Sequence, residues 1–194
     1  QVEWSQNPSA ILVTLREGGL TVIDPATHLI IMDVPGELTG PIEDAALQPN
    51  GSQIATVDRF TGLNIWDMHT GSLVYFDRDL IVAWRVAWSP NGQYLLVSSI
   101  DEMVMRDARG NPLFSLPGAP EDVPHVEFSP NEQYLALGFT YRLEIYDLTQ
   151  RQSLISNIIP GFRHSIQWST SGSIILAAIT DATREGNFYR VVTF

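Results

Sequence analysis

Trp88-Ser89-Pro90-Asn91-Gly92-Gln93-Tyr94-Leu95 returns forty residues later as Phe128-Ser129-Pro130-Asn131-Glu132-Gln133-Tyr134-Leu135. Leu47-Gln48-Pro49-Asn50-Gly51 is an earlier copy, Trp168-Ser169-Thr170-Ser171-Gly172 is a later one, and Trp4-Ser5-Gln6-Asn7-Pro8 opens the series. The anchor positions 5, 48, 89, 129 and 169 are separated by 43, 41, 40 and 40 residues. A second landmark keeps the same phase. Ile23-Asp24, Trp66-Asp67, Arg106-Asp107 and Tyr146-Asp147 each end 18 or 19 residues after their anchor. Two unrelated landmarks in register over four units make a repeat, and a period near forty residues constrains the architecture before any single element is considered.

Each unit reads as four short strands, here a to d. Strand a has apolar residues two apart just before the anchor: Val86 and Trp88, Val126 and Phe128, Ile166 and Trp168. Strand b is a continuous apolar run, as in Leu95-Leu96-Val97 and Ile174-Ile175-Leu176, which suits a strand covered on both faces. Strand c alternates, as in Leu63 and Ile65, Met103 and Met105, Leu143 and Ile145, and strand d follows as in Leu73-Val74-Tyr75 or Leu154-Ile155. Pro-Asn-Gly at 49–51 and 90–92 is a tight a–b turn, with proline setting φ and glycine or asparagine accepting positive φ. His69-Thr70-Gly71 and Arg109-Gly110-Asn111 serve the c–d turn. No segment shows a sustained 3.6-residue apolar period, so the expectation is an all-β chain with essentially no helix.

A lone four-stranded sheet cannot bury both of its faces, whereas sheets stacked about an axis bury them against one another. The Ser-Pro-Asn-Gly turn after strand a, together with Trp66-Asp67 closing strand c, resembles the WD-repeat family, across nearly the whole chain. The resemblance implies one β-propeller domain over 1–194 made of four-stranded antiparallel blades, about five of them, near 1–41, 42–83, 84–122, 123–161 and 162–194. Only Trp66-Asp67 is a true Trp-Asp pair, and no Gly-His pair precedes strand a, so the family's His-Ser-Asp-Trp hydrogen-bond tetrad is not complete in any unit. The pattern is also similar to the propeller domains of prolyl oligopeptidases and periplasmic translocation proteins. Members of the WD family usually close with seven blades. Four full units and a fifth ending after strand c lead to the expectation of a partial or unusually closed ring, completed by a further chain segment or by self-association.

Composition narrows function. The formal net charge of −11 argues against nucleic acid, which needs clustered Lys and Arg, and against anionic membrane surfaces. Apolar residues make up 44% and charged residues 17%, which excludes a disordered chain. No run approaches the roughly 18 apolar residues of a spanning helix, so membrane insertion is not expected. The chain has no cysteine, hence no disulfide or thiolate metal site, and fits a cytoplasmic and a secreted or periplasmic setting equally.

A search for catalytic chemistry returns little. There is no phosphate-binding glycine loop, no Gly-x-Ser-x-Gly elbow and no His-Glu-x-x-His. The expectation is therefore a non-enzymatic protein-interaction scaffold with no cofactor and no metal site. Its partner-binding candidates are apolar residues in the b–c and d–a loops: Phe60, Phe139, Tyr141, Leu80, Ile81 and Phe162. Aromatic residues at loop tips are the usual anchors of interfaces. Asp44, Arg85 and His125 occupy the same position on strand a in three units, and the alternative function is a sensor or enzyme-associated propeller that binds a small ligand there. A third reading is a structural subunit that completes or polymerises a ring through open blade edges. Asn50-Gly51-Ser52 fits a glycosylation sequon but falls in the repeated a–b turn, where a structural role suffices.

Overall fold

In the computed structural model the chain forms two compact units, 1–120 and 121–194. The structure describes residues 2–6, 9–14, 18–36, 41–49, 51–80, 82–116, 125–139, 142–158, 162–172, 174–180 and 187–193. Among these, the elements are strands, and every sheet is a simple antiparallel meander.

The first unit carries three four-stranded sheets. They comprise β1 (Val2–Gln6), β2 (Ser9–Thr14), β3 (Leu20–Ile23) and β4 (Ile30–Val34); β5 (Asp44–Leu47), β6 (Gln53–Asp58), β7 (Gly62–Asp67) and β8 (Leu73–Asp77); and β9 (Ala83–Trp88), β10 (Tyr94–Ser99), β11 (Met103–Asp107) and β12 (Pro112–Leu116). The second unit holds a four-stranded sheet of β13 (His125–Phe128), β14 (Tyr134–Gly138), β15 (Arg142–Asp147) and β16 (Gln152–Ile158), and a three-stranded sheet of β17 (Phe162–Trp168), β18 (Ile174–Thr180) and β19 (Asn187–Thr193).

The apolar runs do what two-sided burial requires. On β6, Ile54 joins a core with Leu12, Val22 and Met32 of the first sheet, while its neighbours Ala55 and Val57 join a core with Val86, Trp88 and Leu95 of the third. Adjacent residues of one strand thus serve opposite neighbours, as side-chain alternation dictates. Each fully buried aliphatic side chain contributes about 1.5–3 kcal/mol. The second unit repeats the scheme with Ala136, Leu143 and Ile145 packed against Ile166, Trp168 and Ile175.

Both landmarks are turns. After strand a, the Ser89 hydroxyl donates to Asn91 Oδ1 at 3.0 Å and accepts the Tyr94 N–H at 3.1 Å. Ser129 does the same with Asn131 and Tyr134 at 2.7 and 2.9 Å. The residue closing this turn is left-handed in four units: Gly51, Gly92 and Gly172 at φ 71–72°, and Glu132 at φ 57°. After strand c the aspartate caps the c–d turn. Asp24, Asp67, Asp107 and Asp147 each accept the N–H two residues on, at 2.8, 3.0, 2.9 and 2.8 Å. Such side-chain acceptance of backbone donors is what favours aspartate in turns. Each c–d ladder of the four-stranded sheets also shifts register just before that aspartate, by one bulged residue.

Neighbouring sheets are stitched by the residues around the anchor. The Trp88 indole donates to the carbonyl of Ala46 on the preceding sheet at 3.2 Å. In the second unit the Trp168 indole donates to the carbonyl of Glu127, the equivalent position, at 3.0 Å. Gln48 adds a buried bond from Nε2 to the carbonyl of Gly92 at 2.7 Å. Trp66 points its indole at Thr56 Oγ1 at 3.0 Å, which supplies the tryptophan–hydroxyl half of the tetrad.

One interaction between sheets has no counterpart in the other repeats among the described residues. Arg106 stands where Trp66 and Tyr146 stand, and its side chain is 4% exposed. Its guanidinium donates to Asp77 Oδ2 at 2.7 Å, to the Tyr75 hydroxyl at 3.3 Å and to the carbonyl of Gly110 at 2.8 Å. The charge is tolerated because three acceptors replace water around it.

Candidate interaction site

The b–c loop of the second sheet is only three residues long. Asp58, itself buried, accepts the Phe60 N–H at 2.6 Å and the Thr61 N–H at 2.5 Å, and it bonds the Thr61 hydroxyl as well. Asn64 Nδ2 holds the same hydroxyl at 3.0 Å. Gly62 closes the loop at φ 76°, where a Cβ would strike the carbonyls of Asp77 and Leu80. The Phe60 and Thr61 N–H groups at the tip are therefore tied down. Phe60 is left projecting, 79% exposed.

Around it lies a mixed charged and aromatic surface. Arg59 pairs with Glu43 at 2.6 Å and lies 5.4 Å from the centre of the Trp84 ring. The Trp84 indole N–H is shielded from solvent and has no acceptor among the described residues. In the next sheet the b–c loop presents Ile100, also exposed, whose N–H donates to the carbonyl of Val82 at 3.1 Å. Val82 is left-handed at φ 51°, a conformation that a β-branched residue adopts only when its surroundings impose it.

The other sequence candidates divide. Leu80 and Phe139 do not project: both are buried, Leu80 within the core of the second and third sheets, and Phe139 beneath the Arg142 guanidinium at 3.8 Å. The sequence suggests loop-tip anchors at both positions; in the structure their apolar surface is used within the fold. Phe162 opens β17, so it belongs to a strand and not to the preceding loop. Tyr141 and Ile81 lie outside the described residues.

Asp44 and Arg85 do come together, with 3.9 Å between Oδ2 and Nη1. The same Asp44 oxygen accepts the Val86 N–H at 3.1 Å, so this carboxylate is engaged in joining two sheets. His125 opens β13 in the second unit, half-buried. Glu127, missed from sequence, sits two residues on. Burial pushes its carboxyl above the usual carboxylate range, offset in part by the Trp168 N–H at 3.5 Å, and Oε2 has no hydrogen-bond partner among the described residues. The signal was available: Glu127 stands where the other units place Ala46 and Ala87. Among the described residues no three His, Cys, Asp or Glu side chains gather to hold a metal ion, and no helix is long and apolar enough to cross a membrane.

The family model for the WD domain, G-beta repeat, matches residues 69–105, which run from the c–d turn of the second sheet through β8, β9 and β10 to Met105. That stretch, with its Ser-Pro-Asn-Gly turn, is WD-repeat-like. The sheets as a set have the fold of β-propeller blades. Among solved structures, the Cps50 (Swd1) β-propeller domain of Myceliophteria thermophila superposes with a TM-score of 0.75 at 16% identity, covering 92% of this chain and 60% of that one. Hydrazine synthase of Kuenenia stuttgartiensis superposes at 0.79 and 14% identity, covering 99% of this chain and 62% of that one. At these identities the likeness is one of fold, and the chain spans about three fifths of each neighbour. No curated protein sequence matches.

Proposed function

We propose that this chain is a non-enzymatic scaffold that presents the b–c and d–a loop surface of its second and third blades to a protein partner. The observation that carries the reading is Phe60: a large apolar side chain, almost fully exposed, on a loop whose backbone is pinned by Asp58. An exposed aromatic on a flexible tip loses conformational freedom on binding, whereas a pinned one has already lost it. The chain neighbour of Phe60, Arg59, lies over Trp84, and arginine and tryptophan are residue types enriched at binding hot spots. The proposal retains Phe60 from the sequence candidates and adds Arg59 and Trp84.

The test is affinity capture with the intact chain, the Phe60→Ala variant and an Arg59→Ala variant, each checked for an unchanged melting transition. Loss of one and the same captured species in the Phe60→Ala arm supports the reading. Identical capture by all three chains ends it.

The strand-a ligand reading has less behind it. Asp44, its central carboxylate, is committed to the Val86 N–H and to Arg85.

A further inference from the structure

The last strand of a blade is a sheet edge, with unpaired N–H and C=O groups along one side. The register of β4, β8, β12 and β16 makes Ile31, Val74, Leu113 and Leu154 equivalent: each precedes the residue that faces Val22, Ile65, Met105 or Ile145 on strand c. All four are apolar, and all four are exposed, by 41, 53, 45 and 43%. Among the described residues, β8 exposes three large apolar side chains within its span, against two on β4, Ile30 and Ile31. Those on β8 are Leu73, Val74 and Phe76, the last at 53%, with no charge between them.

Proteins guard such edges with lysine, proline or inward charges. β4 carries exposed Asp33, β12 opens with Pro112, and β16 begins with the polar pair Gln152-Ser153. All 11 basic residues of the chain are arginine, so it contains no lysine with which to guard an edge. On β8, Tyr75 and Asp77 are already occupied on the side facing the third blade, by Gly110 and by Arg106. Val74 and Phe76, two residues apart, share the opposite face; both are exposed, and the Arg78 guanidinium lies 5.2 Å from the centre of the Phe76 ring.

We propose that the β8 edge is a docking strand for an extended segment of a partner protein, whose apolar residues alternate and whose flanks carry Lys or Arg. Main-chain hydrogen bonds to β8 supply the pairing, and Val74 and Phe76 supply the side-chain contacts. The charge of the flanks follows from what surrounds the edge. Asp67 caps the turn just before β8, and after its end Asp79 offsets Arg78, which leaves the surroundings acidic in a chain of net charge −11. The same charge disfavours a second copy of this chain as occupant, since edge-to-edge pairing would bring like charges together. This surface is separate from the Phe60 loop and stands independently of the function proposed above.

The experiment is selection of a displayed random library of 12-residue peptides on the whole chain. Selected peptides are then measured by fluorescence anisotropy against the parent, Val74→Arg/Phe76→Arg and Phe60→Ala chains. All three chains are first compared by thermal unfolding; the replaced side chains are exposed, so the transitions should coincide. The expected result is peptides with alternating apolar residues and basic flanks that lose at least tenfold in affinity on the doubly substituted chain and none on Phe60→Ala. A further tenfold loss is expected when their Lys and Arg are changed to Glu. Peptides that bind the parent and the doubly substituted chain equally, or that respond only to Phe60→Ala, overturn the proposal. So does a concentration-dependent dimer of the parent chain that Val74→Arg/Phe76→Arg abolishes.

Discussion

Arg106→Ala is the substitution whose cost the structure specifies best. The guanidinium is 4% exposed and Asp77 19%, with 2.7 Å between them. Truncation removes the donor to Asp77, to the Tyr75 hydroxyl and to the Gly110 carbonyl together. Breaking a buried pair by deleting one partner costs about 3–5 kcal/mol, because the survivor stays buried and uncompensated. Asp77 retains some access to water, which places the figure at the lower end, about 3 kcal/mol. For a unit of this size that lowers the midpoint of thermal unfolding by about 10 °C. The assay is urea unfolding followed by tryptophan fluorescence, since Trp66, Trp84 and Trp88 all lie in the second and third blades. A companion variant, Arg106→Met with Asp77→Leu, replaces the pair by apolar side chains of similar volume and should recover about half of the loss or more. Adding salt should change the parent little, because a pair shielded from solvent is weakly screened. A cost below about 1 kcal/mol for Arg106→Ala, or a double variant no better than the single one, would refute the claim that desolvated charge locks these blades together.

Trp88→Phe keeps a ring in place but removes the donor to the Ala46 carbonyl; it should cost about 1–3 kcal/mol by urea unfolding, and Trp168→Phe a similar amount through Glu127. Acid response should come from two opposed groups. Asp24 and Asp67 are held below the ordinary carboxylate range, Asp24 chiefly by the Thr27 hydroxyl and Asp67 by the Thr70 N–H; for Asp107, burial pushes upward but bonds from Asn111 and Arg109 outweigh it. Their stabilisation is present above the unfolded carboxylate pKa and fades as pH falls through their depressed folded values, so stability should drop below about pH 4. Glu127 is shifted the other way, and its protonated form suits the fold: Glu127→Gln should raise stability at pH 7 and change little below pH 4, as read from melting curves across that range.

Wherever one residue type carries one local job, the sequence already revealed the structure. Ser89, Asn91 and Gly92 act within six residues of one another, and so do Asp67 and Thr70, so their spacing announces the turn they make. Strand burial was equally plain, because alternate residues of Ile54-Ala55-Thr56-Val57 had to serve two neighbours. Contacts between blades were not. Arg106 and Asp77 are 29 residues apart and nothing local links them, although an arginine in the place of Trp66 and Tyr146 did hint at a hidden partner. Phe60 and Phe139 look alike as b–c loop aromatics, yet one projects and the other is covered by Arg142; that difference lies in packing, which neither pattern nor propensity records.

The stitching of the second blade to the third sets a limit on where this chain can be divided. Asp44, Ala46 and Gln48 receive their partners from Val86, Trp88 and Gly92, all of them synthesised some forty residues later. A fragment ending between those two groups would carry a carboxylate, a carbonyl and an amide prepared for ligands it does not possess. As the polypeptide leaves the ribosome, the second sheet therefore reaches its final form only after the innermost segment of its successor has arrived.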